Sequence, residues 1–131
     1  MTRNEAREIV MQLLFQMEVQ KDFSDEAKEK FLEGKITKTD SQNKYINRVF
    51  SHVKTNLEYI DDQLNSASEK WNTSRMNKTD LAVLRVAIAE IKFMDDVPAS
   101  VAINEAVTLG KKFGTDNSGK FINGVLGKIA G

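Results

Sequence analysis

Apolar residues recur at steps of three and four along most of this chain, the spacing that gathers side chains on one face of an α-helix. The first run, Arg3 to Val19, carries Ala6, Ile9, Val10, Leu13, Leu14 and Met17. It predicts an amphipathic helix capped by Thr2 or Asn4. Lys21 to Ser24 is a polar break, after which Ser24 or Asp25 opens a short helix to Glu33 with Ala27, Phe31 and Leu32 as its apolar members. Gly34 supplies the stop. Thr39, Asp40 and Ser41 offer another start, and Ile46, Val49, Phe50, Val53, Leu57, Ile60 and Leu64 form a long stripe. That stripe is either one helix or two broken near Thr55 and Asn56, since no Gly or Pro decides between them.

Trp71 follows the polar run Ser66 to Lys70 and is expected to anchor that connection by burying its ring. Asn77 reads as the cap of the next helix, with Asp80 placed favourably against the helix dipole. From Leu81 to Met94 apolar residues cover nearly the whole circumference, which marks a central, buried helix. Arg85 and Glu90 lie inside that segment. Each must find a partner or reach the surface, because an uncompensated buried charge costs several kcal/mol.

Asp95 and Asp96 end that helix and Pro98 forbids its continuation through Val97. The next helix, Ser100 to Phe113, turns Ile103, Ala106, Val107 and Gly110 inward and Glu105, Thr108, Lys111 and Lys112 outward. Gly110 and Gly114 match Gly-x-x-x-Gly, but the intervening Lys-Lys-Phe does not suit a membrane dimerisation motif. After the loop Gly114 to Gly119, a last helix is indicated by Phe121, Ile122, Val125, Leu126 and Ile129, with Asp116 or Ser118 as its cap. No strand-like alternation and no internal repeat are visible. The pattern predicts a single all-α domain over residues 1–131, with six or seven helices.

Charge narrows the functional classes. With 19 basic and 19 acidic residues the formal charge is zero, so any nucleic-acid binding must come from a local patch. The chain has no cysteine, which removes disulfides and thiolate metal sites and is compatible with a reducing compartment. The N-terminal MTRNEAREIV lacks the basic start and apolar run of a signal peptide, and no 18 consecutive apolar residues occur. A cytoplasmic location is expected.

Candidate chemistry is sparse. His52 is the lone histidine and reads as a surface or packing residue. Asp95 and Asp96 have no third ligand spaced to join them, so a solvated loop is favoured over a metal site. No phosphate-binding glycine loop and no nucleophile beside a base is present. A non-catalytic binding protein is the expectation, with no cofactor. The informative stretch is the loop before the last helix, because a helix N-terminus offers free N–H groups and partial positive charge to a phosphate. Lys120 adds a cation, Asn117 and Ser118 add hydrogen-bonding groups, and Phe121 can stack on an unpaired base. Such stacking is worth roughly 1–3 kcal/mol. An ordinary capped helix with Phe121 in the core competes with that reading, and spacing alone does not displace it. Arg3 and Arg7 share a face away from the first stripe, with Glu5 and Glu8 nearby, and read as part of a solvated face.

Several stretches together resemble the NusB family of bacterial transcription antitermination factors. They are the pattern from Arg3 to Gln16, Trp71, RMNKTDLAVLRVAIAEI at 75–91, VPASVAINEAV, and KFGTDNSGKFINGVL. The resemblance runs the whole length and implies two helical bundles packed crosswise, no catalytic activity and no cofactor. It also implies binding of the single-stranded boxA element of nascent ribosomal RNA together with a small-subunit ribosomal protein, NusE, in support of the RNA polymerase antitermination complex. By position, it places RNA contacts on Arg3, Arg7, Asn117, Ser118, Lys120 and Phe121. It places the NusE contact at Met76 to Leu84, with Met76, Asp80 and Leu84 as its members. Many relatives carry a denser arginine run in the first helix, where this chain interposes Asn4 and Glu5. Weak RNA binding by the isolated chain follows, raised by NusE.

Two alternatives stay open from the sequence. A similar helical domain heads some ribosomal-RNA cytosine methyltransferases, although those chains continue into a catalytic domain and this one stops at Gly131. The other is a helical scaffold or homodimer that covers its own RNA surface.

Overall fold

The central apolar segment becomes the axis of the molecule. The computed structural model describes residues 1–68 and 72–131, so the expectation for Trp71 lies outside the described residues. Among the described residues there are seven helices: α1 (Arg3–Gln20), α2 (Asp25–Leu32), α3 (Asn43–Thr55), α4 (Leu57–Ala67), α5 (Lys78–Phe93), α6 (Ala99–Phe113) and α7 (Ser118–Ala130). Every residue from Asp80 to Glu90 of α5 is buried. α1 and α3 pack on one side of it, with α2 against α1, while α4, α6 and α7 occupy the other. Two groups of helices therefore share α5, as the all-α, two-bundle expectation requires.

Local chemistry explains the boundaries. Thr2 caps α1 through a capping box, its hydroxyl accepting from the Glu5 N–H at 3.1 Å while the Glu5 carboxylate accepts from the Thr2 N–H at 2.9 Å. The Asn77 side chain accepts from the N–H groups of Thr79 and Asp80 and opens α5. The long stripe resolves into two helices at Asn56. There the backbone N–H and the side-chain amide of Asn56 both donate to the His52 carbonyl, at 3.0 and 2.9 Å, so the side chain competes with the helical ladder. α3 opens later than residues 39–41 suggest, because Asp40 Oδ1 is engaged by the Gln42 N–H in a local turn.

One further expectation is corrected. Neither Asp116 nor Ser118 caps α7: its N-cap is Asn117, which makes no side-chain capping bond. In α6 Ala106 and Gly110 are fully buried as expected, joined by Ala102 and Leu109, and Ile103 and Val107 are half-buried against the core.

The charges of α5 find partners on both sides of the core. Arg85 donates to Asp61 through Nε (3.0 Å) and Nη2 (2.8 Å), and to Glu18 through Nη1 (2.7 Å). Glu90 accepts from Arg7 Nε at 3.1 and 3.2 Å and from Nη2 at 2.9 Å. Arg7 thus meets the C-terminal end of α5, and Glu18, eleven residues on, meets Arg85 and Lys78 nearer its start. The two helices run antiparallel, with a buried ion group toward each end of their contact.

Candidate nucleic-acid and partner interface

The Gly-x-x-x-Gly pattern sets the geometry of the candidate loop. A Cβ on Gly110 would collide with Ile122 Cδ1, and one on Gly114 with the Ser118 side chain. At Gly114 a Cβ would also meet the Gly110 carbonyl oxygen, so hydrogen there keeps the α6–α7 turn tight, whereas at Gly110 only the tip of Ile122 would have to move aside. The pair therefore does helix-packing work within one chain. The loop between them is fastened from inside: the Thr115 N–H donates to Ser118 Oγ at 2.9 Å, and the Ser118 N–H to the Thr115 carbonyl at 3.0 Å. Ser118 is only 1% exposed. The expectation that it offers a hydroxyl at the surface is corrected, because close α6–α7 packing draws that hydroxyl inward as the loop's internal tie.

The loop exposes Thr115, Asp116 and Asn117, with Lys120 exposed just beyond, at the head of a helix that lacks a side-chain cap. Phe121 is half-buried and packs against the core, so the core reading and the surface reading each describe part of its ring. A residue that the sequence reading left on a general outer face joins this patch. Gly119 lies against the stem of Lys111, which brings that exposed lysine beside the loop. Lys112 reaches Glu8 and ties the end of α6 to α1. Lys111 and Lys120 are thus the lysines beside this loop without an ion pair among the described residues, with Asp116 the acidic residue exposed in it.

Arg3 and Arg7 separate in role. Arg3 is half-buried, donates from Nε to Gln42 Oε1 at 2.6 Å, and lies over the Tyr45 ring, 4.2 Å from its centroid. Arg7 is only 5% exposed and Glu90 only 1%. Besides its Glu90 bonds, Arg7 donates from Nη1 to Asn4 Oδ1 at 3.1 Å. The expectation of a solvated Arg7 is corrected: burial opposes the charge, but the Glu90 carboxylate outweighs that cost and raises the guanidinium above its ordinary value. The signal was present in the sequence. Positions 7, 11, 14 and 18 fall within one narrow arc of a 3.6-residue helix, so Arg7 belongs to the buried face.

The residues expected to meet NusE divide as well. Leu84 is fully buried in the core, and its placement on a contact surface is corrected: α5 is covered on all sides from its second turn. Met76 is also buried but lines a groove of about 340 Å³ together with Arg75, Asn77, Asp80, Thr115, Asn117 and Phe121. Asp80, 7% exposed, has its Oδ1 buried without a hydrogen-bond partner. Burial raises its carboxyl above the ordinary value, with the nearby Ser118 hydroxyl acting in the opposite direction. The structure therefore brings Asp80 and Phe121 into one groove, where the sequence treated their surfaces as separate.

Elsewhere the side chains are structurally engaged. His52 stacks on Phe93 with centroids 5.5 Å apart, and Asp96 accepts from Arg48 at 2.9 and 3.2 Å. Among the described residues no group of three or more His, Asp or Glu side chains is arranged to hold a metal, and no helix is long and apolar enough to cross a membrane. The exposed lysines at the head of α7 thus stand beside a groove lined by Asp80, whose buried Oδ1 makes no hydrogen bond of ordinary geometry.

Known proteins are similar to this chain in sequence and fold. The NusB family model matches residues 4–131. The transcription antitermination protein NusB of Natranaerobius thermophilus is 43% identical over 132 residues, covering 99% of this chain and 95% of that one. The solved NusB of T. maritima superposes with a TM-score of 0.88 at 39% identity, covering 99% of this chain and 91% of that chain. A second solved structure, of antitermination factors NusB and NusE in complex with dsRNA, superposes with a TM-score of 0.87 at 23% identity, covering 98% of this chain and 95% of that chain; it supports the fold. From the fold, the loop geometry and these full-length matches it follows that the chain belongs to the NusB family.

Proposed function

We propose that this protein is a cytoplasmic transcription antitermination factor that binds single-stranded, boxA-type RNA of nascent ribosomal RNA together with NusE. In that role it joins the antitermination complex of RNA polymerase and works by binding, not by catalysis. The observation that carries this reading is the patch at the head of α7. Exposed Asn117 and Lys120, with Lys111 alongside, stand at a helix terminus without a side-chain cap. Phosphate oxygens are suited to such a terminus, and Phe121 offers a partly open aromatic face. Arg3 adds a second cation on α1. Arg7 and Ser118 act by holding α1 and the loop in place. The partner surface lies in the neighbouring groove. There the unpaired Asp80 carboxylate is suited to a cationic side chain of NusE, with Met76 as apolar floor. Leu84 supports that floor from the core.

The test is an anisotropy titration of a short U-rich single-stranded RNA, with and without NusE, across a salt series. Each phosphate contact contributes about 0.7 to the slope of log K against log salt on single strands. A shallow slope and weak binding are expected for the isolated protein, with tighter binding once NusE is present. Lys120→Glu should weaken RNA binding and spare NusE binding. Asp80→Lys should do the reverse. If neither the protein nor its pair with NusE prefers the RNA over a scrambled control, the reading is wrong. A stable dimer in light scattering that buries Lys120 would favour the scaffold instead.

A further inference from the structure

We propose that α3 is part of the RNA surface: Gln42 and Tyr45 hold Arg3 in a fixed pose that leaves its terminal amino groups free for a phosphate. The inference rests on the RNA-binding reading above and extends it to a helix that carries none of the residues assigned there. An arginine guanidinium has five N–H donors in a rigid plane. Arg3 uses one of them, Nε, toward Gln42 Oε1, and its four terminal N–H groups make no hydrogen bond to the described residues. The Tyr45 ring underlies the plane at 4.2 Å. A flat cation held by one edge and one face keeps its fork available for bidentate capture of a phosphate.

Three features of the surroundings fit a positioning role. Gln42 is the N-cap residue of α3 yet makes no side-chain capping bond, so its amide is free to serve Arg3. Tyr45 is buried, its hydroxyl near Glu90 makes no hydrogen bond of ordinary geometry, and its ring, 5.8 Å from the Arg7 guanidinium, is what it offers Arg3. Asp96 is close enough to feel the charge of Arg3, but Arg48 takes both of its oxygens. That carboxylate is thereby occupied.

The test measures RNA affinity and salt slope for single and double variants, with a thermal melt on each. Arg3→Ala should remove one contact, lowering the slope by about 0.7 and the affinity by about fivefold at 0.1 M salt. Gln42→Ala should forfeit part of that fivefold, and adding it to Arg3→Ala should cost nothing more, the non-additivity of two side chains acting as one unit. Tyr45→Phe should bind as well as the parent while Tyr45→Leu binds less well. Gln42→Glu is the sharpest arm. It strengthens the grip on Arg3 but neutralises its charge, so it should weaken RNA binding more than Gln42→Ala without lowering the melting temperature. A merely structural role predicts the opposite order.

Additive effects of Arg3→Ala and Gln42→Ala, or full affinity in Gln42→Glu, overturn the positioning role while leaving the RNA site intact. If Arg3→Ala is without effect but Lys120→Glu still weakens binding, Arg3 is no contact and the inference fails alone. If no RNA binding is seen at all, the failure belongs to the underlying reading.

Discussion

Replacing Arg7 by Met separates support of the fold from contact with RNA. In the folded protein Arg7 and Glu90 are both almost wholly inaccessible, and three hydrogen bonds join them. Removing the guanidinium leaves a carboxylate without compensation in the core, a loss of about 3–5 kcal/mol. That is a large share of the roughly 5–15 kcal/mol that holds an ordinary domain folded. For a chain of this size it amounts to a fall of about 11–18 °C in melting temperature. Replacing both residues, Arg7→Met with Glu90→Met, removes the stranded charge together with its former partner. Stability should return to the parental value or above it, since apolar replacements of buried pairs are neutral or stabilising by about 1–4 kcal/mol. Helical circular dichroism followed through urea and thermal unfolding gives the stability, and RNA anisotropy on the same samples gives function. The double variant should fold and bind RNA as the parent does. A single variant that loses less than about 1 kcal/mol would refute the buried-pair argument, because it lies well below the cost of an orphaned charge. A double variant that folds normally yet loses RNA affinity would make Arg7 a contact after all.

Other expectations follow from the same reasoning. At Glu18 burial pushes the carboxyl up, but hydrogen bonds from Lys21 and Arg85 outweigh it and hold the group at about 2 against an ordinary 4.5. Its folded value lies below its unfolded one, so its stabilisation is complete above pH 4.5 and drains away as pH falls toward 2; Glu18→Gln should flatten urea midpoints across that window. Asp80 is the reverse case: burial raises it above 3.8, so its ionised form costs stability at neutral pH and that cost is relieved as pH falls through the raised value. Asp80→Asn should therefore raise the melting temperature while weakening capture of NusE in a pull-down, and a lowered melting temperature would contradict the unpaired-carboxylate account. Gly114→Ala places a methyl into the Ser118 side chain and should cost about 1–3 kcal/mol by overpacking, measured by urea unfolding. Unchanged stability would mean that α6 and α7 separate at little cost.

The sequence made some of this legible because the relevant signals are local. Asn77 as a cap, the all-round apolar α5 and the polar break before Ser24 are each decided by neighbours within a few residues. The need for partners at Arg85 and Glu90 was equally readable, since a charge inside an apolar helix has few options. Which partners they take was not, because Arg7 and Glu90 lie 83 residues apart and only the packing of α1 on α5 brings them together. Beside Glu5 and Glu8, Arg7 reads as solvated, although its helical phase puts it with Met11 and Leu14. Ser118 and Leu84 were misplaced for a related reason: residue type suggested contact chemistry, while tertiary burial assigned them to support. Lys111 could have been tied to the site only by knowing that Gly119 lets α7 pass close to its stem.

The inward tie of Ser118 also bears on the thermodynamics of recognition. A recognition loop that is loose in the free protein must be ordered when RNA arrives, at roughly 1–2 kcal/mol for each residue whose backbone is fixed. Between Gly114 and Ser118 that ordering has already happened, because close helix packing and the Thr115 amide hold the turn before any ligand is present. Calorimetry of RNA binding should then show a small heat-capacity change, without the large negative value of a segment that folds as it binds. Few cations suffice for such a surface because little of their attraction is consumed in arranging it.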